Sequence, residues 1–384
     1  MPDIRKMLPK RLKRPVVIIA VPAACVPVLL GVPAAAAAGP DSSPTNGTAI
    51  VAQGPRHSLN FYWQAEDSKT WQHQQIAGDS SAYSAPSVAQ AGSEAVVAVE
   101  GPHNSLAFYW ELDGSTKWHR EAVAGAGTTF SAPALAHVAD SSVIVAEGPL
   151  GRLYFYWQQL GTTVWHPELV AGKHSTYSAP SVAWVDDTSP SVTESVIAAE
   201  GPDQRLDFYT QAVGAKGWHS ELVAGKFTTY AAPSVAQVGT SSTIAAEGGR
   251  GRLYYYWQAI GAKAWHQELV AGTYSADSAP AVKQIGTSSV IVATGSHGRL
   301  DYYWQTIGAS GWNPEVAAGS GKADSAPGLV DEVASSSSAV VVAGPKASLS
   351  YYWQAIGAKA WHLERVAGSN TTYSAPSVTL VSIF

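Results

Sequence analysis

Cysteine is almost absent: Cys25 is the single one in 384 residues. It lies in an apolar N-terminal stretch, so the rest of the chain can form neither a disulfide nor a cysteine-based metal site. Charge is scarce too. Asp, Glu, Lys and Arg make up 14% of the chain, the net charge is -5, and no basic stripe occurs. That excludes a nucleic-acid surface, which needs clustered Lys and Arg. No segment keeps the 3.6-residue apolar period of an amphipathic helix. Catalytic signatures are missing as well: no Gly-x-Ser-x-Gly elbow, no His-Glu-x-x-His helix and no EF-hand acid loop. Aromatic residues are plentiful, with 14 Trp and 17 Tyr. A chain with so little charge must place those rings in a core or in binding surfaces.

The N-terminus differs from everything after it. Arg5, Lys6, Lys10, Arg11, Lys13 and Arg14 open it, an apolar run follows from Val16 to Val32, and Ala34 to Ala38 close it. This order predicts a secretory signal peptide over 1–38, cleaved near Ala38–Gly39, and hence a secreted protein. Pro22 and Pro27 interrupt the run, which argues against a membrane span. Gly39 to Gly47 reads as a flexible Gly/Ser/Pro-rich lead-in, leaving 48–384 as the folded region.

That region repeats. An aromatic run ends at Trp63, Trp110, Trp157, Thr210, Trp257, Trp304 and Trp353, at spacings of 47, 47, 53, 47, 47 and 49. An Ala-Pro step follows in the same phase at Pro86, Pro133, Pro180, Pro233, Pro280, Pro327 and Pro376. The longer interval places an insertion at Asp186 to Glu194. Each unit holds four short β-branched or aromatic stretches bounded by Gly, Pro or Ser. Units of this length with four strands predict an all-β, seven-bladed β-propeller with four-stranded blades. The repeats begin on a second-type strand, Thr48 to Gln53, and end on a first-type strand, Ser374 to Leu380. Pairing the two closes the ring and covers both edges. Along the aromatic strand, Leu153, Phe155 and Trp157 share one face and Tyr154, Tyr156 and Gln158 the other. The first face is expected to pack between blades. The position before the aromatics varies (Asn60, Ala107, Tyr154, Asp207, Tyr254, Asp301, Ser350) and reads as a surface site.

The acids that stand out are copies of one another: Glu100, Glu147, Glu200 and Glu247, each before a glycine, with Gln53 as the amide version. Copies one blade apart cannot make the close carboxylate pair of a glycosidase, so an enzyme is not expected. A Trp-His pair recurs at Trp118-His119, Trp165-His166, Trp218-His219, Trp265-His266 and Trp361-His362. Aromatic residues also precede the Ala-Pro region at Tyr83, Phe130, Tyr177, Tyr230 and Tyr373. Sugars offer apolar C–H faces, which stack on indole or phenol rings, and hydroxyls, which need oriented donors and acceptors. The expected pocket therefore combines Glu as hydroxyl acceptor, Trp as stacking face and His as orienting group. It needs no metal or other cofactor. Repetition suits a ligand held weakly at each site, because several sites on one rigid disc raise avidity about 10² to 10⁴-fold. The alternative is a secreted protein-interaction scaffold in which the aromatics only pack.

The repeat text also resembles a known family. Val-Ile-Val-Ala-Glu-Gly-Pro (143–149), Leu-Tyr-Phe-Tyr-Trp-Gln (153–158), Trp-His-Pro-Glu-Leu-Val-Ala-Gly (165–172) and Tyr-Ser-Ala-Pro-Ser-Val-Ala (177–183) are similar to the repeat of the Photorhabdus seven-bladed propeller lectins. The likeness covers essentially all of 48–384. It implies binding of fucose and related, sometimes O-methylated, saccharides in pockets between blades, and homo-oligomers in some members. Departures occur at Thr210, Thr294 and Asn313, and in the seventh unit the acid is expected to be missing between Ala343 and Gly344.

Overall fold

The computed structural model describes residues 45–383, apart from 67, 189–190 and 333–335. The expected signal peptide and residues 39–44 of the lead-in lie outside the described residues. The rest forms seven four-stranded antiparallel sheets. Blade 3 shows the pattern, with strands at Ala134–Val138, Ser141–Gly148, Arg152–Gln159 and His166–Ala171. Its second strand carries Val143, Ile144, Val145 and Ala146, all nearly inaccessible. A strand covered on both faces needs such an unbroken apolar run rather than an alternating one. The seven first strands neighbour one another in cyclic order, the last beside the first, so the array is a closed ring.

Closure uses both ends of the folded chain. Ser377–Ile383 pairs with Thr45–Gln53 from Thr45↔Ile383 to Val51↔Ser377 and supplies the first strand of blade 1. That strand starts at Thr45, so the last three residues of the expected lead-in are part of the sheet. The insertion in the fourth unit lengthens the first hairpin of blade 4, which pairs out to Thr188↔Ser191.

Both faces of the aromatic strand pack between blades. Leu153 and Phe155 of blade 3 join Val182, Ile197 and Tyr209 of blade 4. Tyr156 joins Leu106 and Phe108 of blade 2, with Tyr154 packed against that cluster. The variable position before the aromatics is not on the surface: Asn60 is 6% exposed, Ala107 1%, Asp207 4% and Asp301 3%. It sits beneath the glycine that follows the repeated acid. A Cβ on Gly201 would lie 2.1 Å from Asp207 Oδ2, and one on Gly148 2.5 Å from the Tyr154 ring. The glycine is needed for room, and the residue below varies because each blade fills that space in its own way. In blade 4 the buried Asp207 is satisfied by Arg205 Nε at 2.8 Å.

Neighbouring blades are tied by a glutamate two residues after each Trp-His histidine. Glu121 Oε1 accepts from Trp110 Nε1 of its own blade at 3.0 Å. Its Oε2 accepts from Gln158 Nε2 at 2.7 Å and Trp165 Nε1 at 3.0 Å, both of blade 3. Glu268 and Glu364 each repeat all three contacts with their own neighbours. Between blades 1 and 2 the residue types are exchanged: Gln74 takes the Glu position and Glu111 the Gln position. There Glu111 Oε1 and Trp118 Nε1 have no hydrogen-bond partner among the described residues. Glu268→Ala strips the acceptor from one buried and two half-buried donors and is expected to cost about 3 kcal/mol. Differential scanning calorimetry checks this; an unchanged melting temperature would show that the glutamates do not hold the blades.

Candidate ligand-binding face

The sheet register decides which repeated residues can meet. In blade 2, Glu100 pairs with Leu106, which pairs with Ala124. At the other end Val96 pairs with Trp110, which pairs with His119. Glu100 and Trp118-His119 therefore lie at opposite ends of the sheet, about 13 Å apart along the strands at ~3.4 Å per residue. The same register separates Glu147 from Trp165-His166 and Glu247 from Trp265-His266. It also separates Glu200 from Trp218-His219. The expected pocket of Glu, Trp and His within one blade is not assembled. The sequence order Glu, Trp, His hides a chain reversal that sends the two groups to opposite faces of the disc.

The tryptophans are wedges. Trp165 meets Phe108 of blade 2 edge-on at 4.9 Å, and Trp118, Trp218, Trp265 and Trp361 meet Phe61, Phe155, Phe208 and Tyr302 in the same way at 4.9 to 5.0 Å. The histidines cover the aromatic-strand tryptophans: His119, His166, His266 and His362 stack on Trp110, Trp157, Trp257 and Trp353 at 4.2 to 4.3 Å. Thr210 leaves His219 without that ring, and it turns to Glu221 Oε1 at 3.6 Å.

The acids lie on the other face, where the turns between second and third strands meet the loops that lead from blade to blade. Each such loop presents one residue whose amide donates to the carbonyl of the acid. Tyr83 bonds Glu100, Phe130 bonds Glu147, Tyr177 bonds Glu200, Tyr230 bonds Glu247 and Tyr373 bonds Gln53, all at 2.8 to 3.0 Å. These five rings are 41 to 52% exposed. Beside them the carboxyls are half-buried or buried. Glu100 Oε1 accepts from Asn104 Nδ2 at 2.8 Å, and Gln53 Nε2 reaches the Ala82 carbonyl at 2.7 Å. In blade 6 the pair becomes Asp277 with Thr294, and in blade 7 Asp324 with Ala343. Ala343 pairs with Leu349 as Glu100 pairs with Leu106, so the seventh acid is replaced by alanine rather than missing. Ring and acid or amide are thus present together in five blades and lost together in two.

Burial pushes Glu147 and Glu247 up from the ordinary 4.5 to about 7, with repulsion from Glu200 adding to both and from Asp277 to Glu247. Glu100 and Glu200 are raised by burial, and at Glu100 the hydrogen bond from Asn104 offsets part of the rise. A raised carboxyl pKa means that the folded state holds its proton more tightly than the unfolded chain. The stability from Glu147 and Glu247 is then complete below about pH 4.5 and is lost as the pH rises through about 7. The melting temperature is expected to fall between pH 5 and 8, and Glu147→Gln with Glu247→Gln to flatten that fall. An equal slope in the double variant would place the titration elsewhere.

A cavity of about 430 Å³ opens on the Trp-His face between blades 7 and 1. In blades 3 to 7 an aliphatic residue (Leu160, Val213, Ile260, Ile307 or Ile356) starts the loop there; Leu160 and Ile307 approach Gly92 and Gly239 of the preceding blade. Blade 1 has Glu66 instead. Two half-buried carboxylates of this cavity are already engaged: Glu332 accepts from Thr48 and Tyr351, and Glu364 from Trp71, Gln64 and Trp353. The turn face, by contrast, offers exposed rings. Among the described residues no cluster of His, Cys, Asp or Glu could hold a metal ion. No helix is long and apolar enough to cross a membrane.

No family model matches the chain, and no curated protein does. Solved structures match its shape. The BP39L lectin from Burkholderia pseudomallei superimposes with a TM-score of 0.73 at 16% identity, over 85% of this chain and 95% of that one. The Aleuria aurantia lectin in complex with Fucα1-6GlcNAc gives 0.54 at 13% identity, over 75% and 96%. A prolyl endopeptidase gives 0.53 at 12% identity, over 84% of this chain and 49% of that one. At such identities the likeness establishes the propeller fold.

Proposed function

We propose that the protein is a secreted, multivalent carbohydrate-binding protein whose pockets lie on the turn face, one in each of blades 1 to 5. The observation that carries this reading is the joint presence of an exposed ring and a half-buried carboxyl or amide in those blades, and their joint loss in blades 6 and 7. Packing alone gives no reason for a solvent-facing ring to come and go with a hydrogen-bonding group. A sugar gives one, since its C–H face needs the ring while its hydroxyls need the acceptor. The acceptors of the proposed pockets are Glu100, Glu147, Glu200, Glu247 and Gln53. Tyr83, Phe130, Tyr177, Tyr230 and Tyr373 are the stacking faces. Trp118, Trp165, Trp218, Trp265 and Trp361 hold blades together at the other end of the disc. Fucose, free or O-methylated, is the proposed sugar, supported by the repeat resemblance and by the fucoside complexes among proteins of similar shape. Self-association is proposed on the resemblance alone.

The test is a glycan array probed with the mature protein, residues 39–384, with and without chelator. Selective binding to fucosylated glycans that survives chelation is expected. Absence of binding to any glycan would overturn the reading.

A further inference from the structure

We infer that the pockets of blades 3, 4 and 5 carry a second stacking wall and take a saccharide of at least two residues, while those of blades 1 and 2 take one; this rests on the carbohydrate-binding reading. Each acid lies between two loops. One brings the exposed ring described above: the Tyr230 amide bonds the Glu247 carbonyl, and the Tyr230 ring comes within 3.6 Å of the Cβ position of Gly249. The other loop leaves the same blade and folds back over its turn. In blade 5, Tyr274 N donates to Arg250 O at 3.0 Å and Ser275 N to Gly251 O at 2.8 Å. Tyr274 thus flanks the Glu247 pocket on the side away from Tyr230. Phe227 holds this place in blade 4, through its bond to Asp203 O, and His174 in blade 3, through Leu150 O.

This second-wall position has a left-handed backbone in every blade, with φ of 60° for His174, 61° for Phe227 and 65° for Tyr274. Glycine takes it in blades 2 and 6, as Gly127 and Gly321 with φ of 72° and 70°. Ser80 and Asn370 take it in blades 1 and 7. A bulky side chain is disfavoured in that conformation, and strain of this kind persists where a function needs it. Nor does burial compensate, since Phe227 is 63% exposed and Tyr274 64%. The fold gains nothing from these rings that glycine does not give. They also occur only where the first ring and the glutamate are both present. The result is an arc of exposed rings across three adjacent blades: Phe130, His174, Tyr177, Phe227, Tyr230 and Tyr274. A second sugar linked to the one above each acid meets the second wall.

The triple variant His174→Gly, Phe227→Gly, Tyr274→Gly tests this, because glycine already serves the position in two blades and relieves the left-handed strain. Its melting temperature is expected to hold or rise. Methyl α-L-fucoside and Fucα1-6GlcNAc, each titrated in solution by calorimetry, separate the walls. The parent is expected to bind the disaccharide about 5 to 10-fold tighter than the monosaccharide, and the variant to bind both alike, with monosaccharide affinity unchanged. Unchanged disaccharide affinity in the variant overturns the second wall. So does an equal fall for both ligands, which would assign these rings to the first sugar. If the parent binds neither ligand, the fucose-binding reading fails with it.

Discussion

Tyr83, Phe130, Tyr177, Tyr230 and Tyr373 replaced together by alanine are expected to abolish retention on a dense fucosylated surface, with the melting temperature within a few degrees of the parent. The two halves of that result come from one fact: these rings are 41 to 52% exposed, so removing them leaves no large cavity. Each truncation removes one stacking face, worth about 1 kcal/mol and therefore roughly fivefold in affinity at its site. Avidity magnifies the loss. Weakening five sites on one disc removes the advantage of about 10² to 10⁴ that simultaneous engagement provides. Surface plasmon resonance on a fucosylated surface measures it, beside a Trp165→Ala control. That control removes a wedge held by Phe108 and Glu121 and is expected to lower the melting temperature while monosaccharide affinity persists. Full retention by the five-ring variant, with Trp165→Ala losing its sugar, would move the binding site to the opposite face of the disc.

Deletion of residues 377–384 is expected to leave no folded monomer. The lost strand contributes Val378 and Leu380 to one interblade cluster and Val381 to the next. Its removal also strips every partner residue from the inner flank of Thr45–Val51. A long apolar strand edge of that kind pairs with another chain. The neighbours are affected as well, because Ser377 Oγ accepts from Val88 N of blade 2 at 3.1 Å. Size-exclusion chromatography and calorimetry are expected to show aggregates without a sharp transition. A monomeric truncation that melts near the parent temperature would mean that six blades hold the ring without the closing strand.

The architecture is legible in the sequence because repetition is a one-dimensional signal. Two landmarks recurring in phase count the blades, and a repeat array whose first copy lacks its first-type strand while its last carries a spare one points to a closed ring. Period-2 alternation also placed Leu153, Phe155 and Trp157 on a packing face. The signal weakened wherever a residue varied. Asp207 and Asp301 read as surface groups because a changing polar residue usually is one, yet both are buried beneath a glycine whose missing side chain makes their space.

The site divides along the same line. Sequence by itself determined which residues repeat, that Glu, Trp, His and an aromatic are copied from blade to blade, and that blades 6 and 7 depart from the rest. It could not say which copies meet, because antiparallel strands bring together residues far apart in sequence and separate near ones by the length of the sheet. Only the tertiary structure sent Glu147 to one face of the disc and Trp165-His166 to the other. It also turned Glu121, Glu268 and Glu364, which sequence reasoning passed over, into the ties between blades. The Trp-His-x-Glu spacing was a visible signal, but two of each glutamate's three partners lie on the adjacent blade, and those contacts exist only once neighbouring blades pack.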